Sequence, residues 1–137
     1  MANRNWRVTF VWLAVCCASL TAAFIVGISG NPSGLLLCYL ATCALILAFT
    51  HTWRKARYFL ILLGASLVGF PVFVVLHNVF YGLAELANDI ILLSRLLEFL
   101  HAGFFIIATL VCPAGFLIGA VGSVATVITY FKKKKSL

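Results

Sequence analysis

The sequence predicts an all-α polytopic membrane protein with four transmembrane helices, and three observations predict it. Apolar residues make up 64% of the chain and charged ones 9%, at a mean hydropathy of +1.15; a soluble domain of 137 residues needs far more polar surface. Apolar runs long enough to cross a bilayer, at about 20 residues per crossing, alternate with short polar breaks. The basic residues gather at the ends of those runs: Arg4 and Arg7, then Arg54, Lys55 and Arg57, then Lys132, Lys133, Lys134 and Lys135.

The first run covers residues 8–29 and ends in GNPSG, whose glycines, asparagine and proline form turns and stop helices. The second, residues 35–53, returns across the bilayer to the basic run RKAR, so the first two helices are antiparallel neighbours. A third run, residues 58–81, contains Gly64, Gly69 and Pro71, and the proline should kink or bend it. Residues 82–98 hold Glu85, Asp89 and Glu98, all the acidic residues of the chain, and are expected to form an extended outer helical hairpin. The fourth run, residues 99–131, is longer than one crossing requires and ends in the four lysines. The whole chain, residues 1–137, reads as one domain.

Four crossings put all three basic clusters on one side, and positive charge marks the cytoplasmic side. Both termini are then cytoplasmic, in the plasma (inner) membrane, or in the ER membrane of a eukaryotic host, where the tail KKKKSL also resembles a retrieval signal. A fifth span turning at CPAG would export the lysines and leave a crossing of about 13 residues, too short for a bilayer. The N-terminus has signal-peptide features, but its apolar run continues past the small residues Thr21, Ala22 and Ala23, which favours an uncleaved anchor. The net charge of +7 is spent on helix ends rather than on a soluble basic face, so no nucleic-acid partner is expected.

Small residues recur four apart at Ala18 and Ala22, Ala23 and Gly27, and Ala65 and Gly69, and along Gly115, Gly119 and Ser123. Such spacing lets helix backbones approach closely in lipid, and the last set is the expected packing face of the fourth helix. His51 is expected at the interface, with Trp6, Trp53 and Tyr58 in an aromatic belt. The five cysteines form no CxxC and no zinc pattern, though Cys38 and Cys112 fall at similar depth and could pair in an oxidising exterior.

On a helical wheel, His77, Asn78, Tyr81, Glu85, Asn88 and Asp89 share one face, and Ser94, Arg95, Glu98, His101 and Thr109 share another. A break near Asn88 and Asp89, with one of them capping a new helix, folds the two stripes together. Glu85 then faces Arg95, Tyr81 nears Glu98, and His77 comes within reach of His101. One outcome is a solvated turn with salt bridges among Glu85, Arg95 and Glu98. The other is a ligand or proton site made of His77, Tyr81, Glu85, Glu98 and His101, in which Glu98 and His101 form one E-x-x-H pair. Carboxylate-bridged di-metal bundles use two such pairs, so no metal and no cofactor is expected.

No nucleophile–base pair, phosphate loop or metalloprotease motif is present, and the chain is read as a non-catalytic accessory, assembly or interaction subunit. Its expected partners are the lipid bilayer and another membrane protein or a second copy of itself. The alternatives are a holin-like pore or small ion or solute channel or transporter, and a metal- or haem-binding protein using the outer His/Glu cluster. Measured back from Lys132, the apolar segment AGFFIIATLV, residues 102–111, falls outside the hydrocarbon. It must tilt at Pro113 or pack against another protein.

Overall fold

A computed structural model describes residues 3–87 and 89–135, with side chains from Trp6 onward. The described residues contain helices and no strand: α1 (Asn3–Val26), α2 (Pro32–Thr50), α3 (Ala56–Leu86), α4 (Ile91–Ile106) and α5 (Cys112–Lys135), with a π-helical turn (Ile107–Val111) joining α4 to α5. Among the described residues four helices are long and apolar enough to cross a membrane: Trp6–Val26, Pro32–Thr50, Ala56–Leu86 and the continuous Ile91–Lys135. The protein is an all-α, membrane-embedded chain. Arg4, Asn88 and the last two residues of the KKKKSL tail lie outside what is described of side chains.

The chain divides into two compact units. One comprises Met1–Leu63 with Ala114–Leu137, the other Gly64–Pro113.

In the first unit, α1 and α2 pack side by side. Between them Gly27 and Gly30 take φ of +86° and +70°, the left-handed region that glycine enters without cost. Asn31 then closes both helices: its side-chain oxygen accepts from the Ser33 N–H at 3.0 Å, and its amide donates to the Val26 carbonyl at 3.1 Å. Pro32 follows at the first turn of α2, where a missing N–H costs nothing. Gly34 sits so close to Gly27 that a Cβ on it would collide with the Gly27 carbonyl. The buried residues of α2 are small, Gly34, Cys38, Ala41, Ala44, Ala48 and Thr50, and Cys16, Ala41 and Ala44 form a core against Trp12.

Hydroxyls on the apolar helices satisfy themselves locally. Thr21, Thr42, Thr50, Ser123, Thr126 and Thr129 each donate to the carbonyl four residues back, at 2.7 to 2.9 Å. In lipid, where water offers no partner, this is how such residues avoid an unmet hydrogen bond.

The second unit is an antiparallel hairpin of the later part of α3 against α4. Its turn is held by the Ile90 N–H on the Ala87 carbonyl at 2.9 Å, and Ser94 reaches back to the Ala84 carbonyl at 3.5 Å. The helix break lies where the polar residues predict it. Its cap does not: Ile90 occupies the N-cap with no side-chain hydrogen bond, Asp89 supplies none, and Asn88 is outside the described residues. α3 runs uninterrupted through Pro71.

Near Pro113 the chain stays helical by widening. The Cys112 N–H bonds the Ile107 carbonyl, five residues back rather than four. Proline has no N–H to give and its ring presses on the turn before it, so an extra residue in that turn relieves the conflict.

Candidate functional site

The polar stripes of the sequence converge in the hairpin of the second unit, but only in part. His77 on α3 faces His101 on α4, with ring centroids 5.2 Å apart, and its Nδ1 donates to the His101 carbonyl at 2.9 Å. Since a carbonyl only accepts, that nitrogen of His77 carries a proton. Tyr81 meets His101 edge-on at 5.6 Å, and Phe105 lies 5.2 Å from His77. The Nδ1 of His101 is buried without a hydrogen-bond partner.

Next to the imidazoles stands a set of rings that the wheel reading passes over. Phe104 stacks on Phe73 at 5.9 Å and tilts against Phe80 at 5.2 Å. Phe73, His77, Phe80 and Tyr81 follow the three- and four-residue spacing of one helix face. The histidines belong to this aromatic interface rather than to a polar pocket.

The carboxylates stay apart from it. Glu85 and Glu98 are exposed. Among the described residues no group of three His, Cys, Asp or Glu side chains could hold a metal ion. His77, Glu85, Glu98 and His101 therefore do not form a gathered ligand set here, because the acids share the helix stripe in projection while their side chains extend to the surface. Glu85, Arg95 and Glu98 also form no ion pair among the described residues; all three are exposed. Arg95 and Glu98 instead border an open surface cleft with Ile91, Ser94 and Phe99.

All five cysteines are free thiols, Cys38 and Cys112 included. Cys112 places its Sγ against Gly69, 3.5 Å from where a Cβ would stand there.

In the first unit, the small residues of α5 serve close packing. A Cβ on Gly119 would lie 2.8 Å from the Leu63 nitrogen and 2.9 Å from the Phe59 carbonyl, so α5 rides on the α3 backbone at this point. Gly115, Gly119 and Ser123 are all buried. Gly122 is covered by the ring of Phe59.

Aromatic residues gather near the basic run: Trp53 lies 5.8 Å from Tyr58 and 5.3 Å from Phe59, and the Arg57 guanidinium sits 5.0 Å over the Tyr58 ring. Trp6 pairs with Phe10 at 5.6 Å. His51 takes a local role in addition to its expected place at the interface. It caps α2, its Nδ1 lies 3.0 Å from the Ala48 carbonyl and 3.2 Å from that of Leu47, and its Nε2 is buried with no partner.

No protein-family model matches the chain, and no curated protein or solved structure matches it either.

Proposed function

We propose that the protein is a non-catalytic accessory or assembly subunit of a membrane complex, and that the α3–α4 hairpin is the part that engages another membrane protein. The reading rests on the mismatch between helix length and bilayer thickness. At 1.5 Å per residue, the 31 residues of α3 run about 46 Å and the 45 residues from Ile91 to Lys135 about 68 Å. A hydrocarbon core of about 30 Å, crossed at a tilt as steep as about 40°, takes up only roughly 39 Å.

The basic residues indicate which ends overhang. Arg57 at the start of α3 and Lys132 to Lys135 at the end of α5 anchor those ends at the cytoplasmic interface. The surplus then falls on the other side, at the hairpin. That end is not dressed for water: Leu86 and Leu92 are each 83% exposed and Phe99 75%, among the charges of Glu85, Asp89, Arg95 and Glu98. Apolar side chains interleaved with charge, beyond the reach of lipid tails, suit a protein partner.

With this orientation both termini face the cytoplasm, from the plasma (inner) membrane or, in a eukaryotic host, from the ER. The test is purification in mild detergent at native expression level, with quantitative mass spectrometry. The reading expects one membrane protein in fixed stoichiometry, lost when Leu86 and Leu92 are changed to serine. Recovery of the chain only with itself, unchanged by those substitutions, contradicts it.

A further inference from the structure

We infer that the first unit holds one anionic phospholipid, with its phosphate headgroup in a basic, aromatic cleft between the α2–α3 connection and the end of α5, and an acyl chain in the apolar groove below it. The cleft has a volume of about 730 Å³ and is bordered by Trp53, Arg54 and Lys55 before α3 and by Tyr130, Phe131 and Lys133 on α5. Its size lies in the range of small-molecule sites, and all of its lining belongs to the first unit.

The charge of the cleft calls for an anion. Arg54, Lys55 and Lys133 come from two separate elements and border the same space. The acidic residues of the chain, Glu85, Asp89 and Glu98, all belong to the other unit, so the first unit contains no carboxylate side chain to neutralise Arg54 and Lys55. Arg57 stays out of the lining, with its guanidinium 5.0 Å over the Tyr58 ring and donating to the Tyr58 hydroxyl at 3.3 Å. Phosphate suits both kinds of cation present, since guanidinium grips two of its oxygens in a fork and ammonium acts as a point charge. A zwitterionic head brings a cation of its own into a cleft already bordered by three. The lipid selected is therefore one of net negative charge.

The wall below the cleft makes the anion a lipid. Trp53, Tyr130 and Phe131 give the cleft an aromatic rim of the kind that settles at headgroup level. Deeper along the same helices runs a groove of about 410 Å³, lined by Cys43 and Leu47 of α2, Phe59 of α3, and Leu117 and Val121 of α5. Phe59 of the groove meets Trp53 of the cleft edge-on at 5.3 Å. On α5, Leu117 and Val121 of the groove lead in steps of four to Ala125, Thr129 and Lys133 of the cleft. Leu117 lies about 12 Å below Ala125 along the helix, within the roughly 15 Å of one hydrocarbon leaflet. A soluble phosphate uses the cleft alone, whereas a phospholipid fills both.

The test is native mass spectrometry of the full chain in a non-ionic detergent, offered equal amounts of phosphatidylglycerol and phosphatidylcholine with identical acyl chains. One phosphatidylglycerol per chain should be retained, at least about tenfold in preference to phosphatidylcholine. Two triple variants remove the same charge from different places. Arg54→Gln with Lys55→Gln and Lys133→Gln strips the cleft and should abolish the preference. Lys132→Gln with Lys134→Gln and Lys135→Gln acts outside the lining and should change it by less than about threefold. Inorganic phosphate in large excess should leave the lipid in place. An equal loss in both triple variants means diffuse attraction to the lysine tail and overturns the site. Equal retention of the two lipids, retention of neither, or displacement by phosphate overturns it too.

Discussion

The α1–α2 pair and the α3–α4 hairpin solve the same problem with opposite materials. In the first, the contact is made of residues without bulk: Ala23 is fully buried, and Gly34, Cys38, Ala41, Ala44 and Ala48 lie buried on α2. In the second, it is made of rings, with Phe73, His77, Phe80 and Tyr81 of α3 against His101, Phe104 and Phe105 of α4. Inside lipid a large side chain gains nothing by leaving the solvent, since hydrocarbon tails are as apolar as leucine. Association there depends on how closely backbones can approach. Toward water, burying rings is favourable in itself, and aromatic pairs add about 0.5–1.5 kcal/mol each. The first contact is of the kind that works in hydrocarbon, and the second is of the kind that also holds toward water.

Substitutions that exchange the two materials separate these regimes. The largest effect is expected for Gly34→Leu, because any Cβ there collides with the Gly27 carbonyl. Overpacking at backbone contact should cost about 3 kcal/mol, read as a drop in resistance to denaturing detergent. Next comes Phe104→Ala, which removes two ring pairs at once and should cost about 2 kcal/mol, with faster hydrogen exchange confined to α4. If Phe104→Ala proves harmless while Gly34→Leu unfolds the chain, the hairpin is lipid-buried and the distinction between the regions fails.

A smaller loss, about 1 kcal/mol, is expected for His77→Phe. It keeps a ring beside Phe105 but deletes the hydrogen bond to the His101 carbonyl, and the same detergent titration measures it. Least of all, Leu92→Ser should change stability by no more than about 0.5 kcal/mol, since Leu92 is 83% exposed. The same change should weaken partner recovery, a separation of binding from folding that sharpens the contrast between the regions.

The spans and their breaks were legible in the sequence because they are local: Asn31-Pro32, the basic run after Thr50, and the polar turn near Asp89 act on their own backbone. Less legible was anything decided between helices. The buried small residues of α2, Gly34, Cys38, Ala41, Ala44 and Ala48, mix steps of three and four, and pairs four apart pick out only part of that face. Helical-wheel angles brought His77 and His101 to a common side, yet angles do not say how far a side chain reaches. Glu85 and Glu98 extend to the surface while the phenylalanines beside them fill the contact. Pro113 announced a disturbance, and its form, a π turn in place of a kink, depends on how the chain redistributes one displaced hydrogen bond. His51 read as an interfacial residue because it adjoins arginine and tryptophan. The sequence did not announce that the His51 ring folds back onto the last carbonyls of α2, which leaves the residue half-buried with its Nε2 covered.

The central claim is that the hairpin meets a protein where the outward faces of the spans meet lipid. It is tested most directly by a photo-crosslinking side chain at Leu92, compared with the same side chain at Ile61, which is 65% exposed on α3. The account predicts a crosslink from Leu92 to one other membrane protein in stoichiometric yield, and lipid adducts alone from Ile61. Lipid adducts alone from both positions would contradict it.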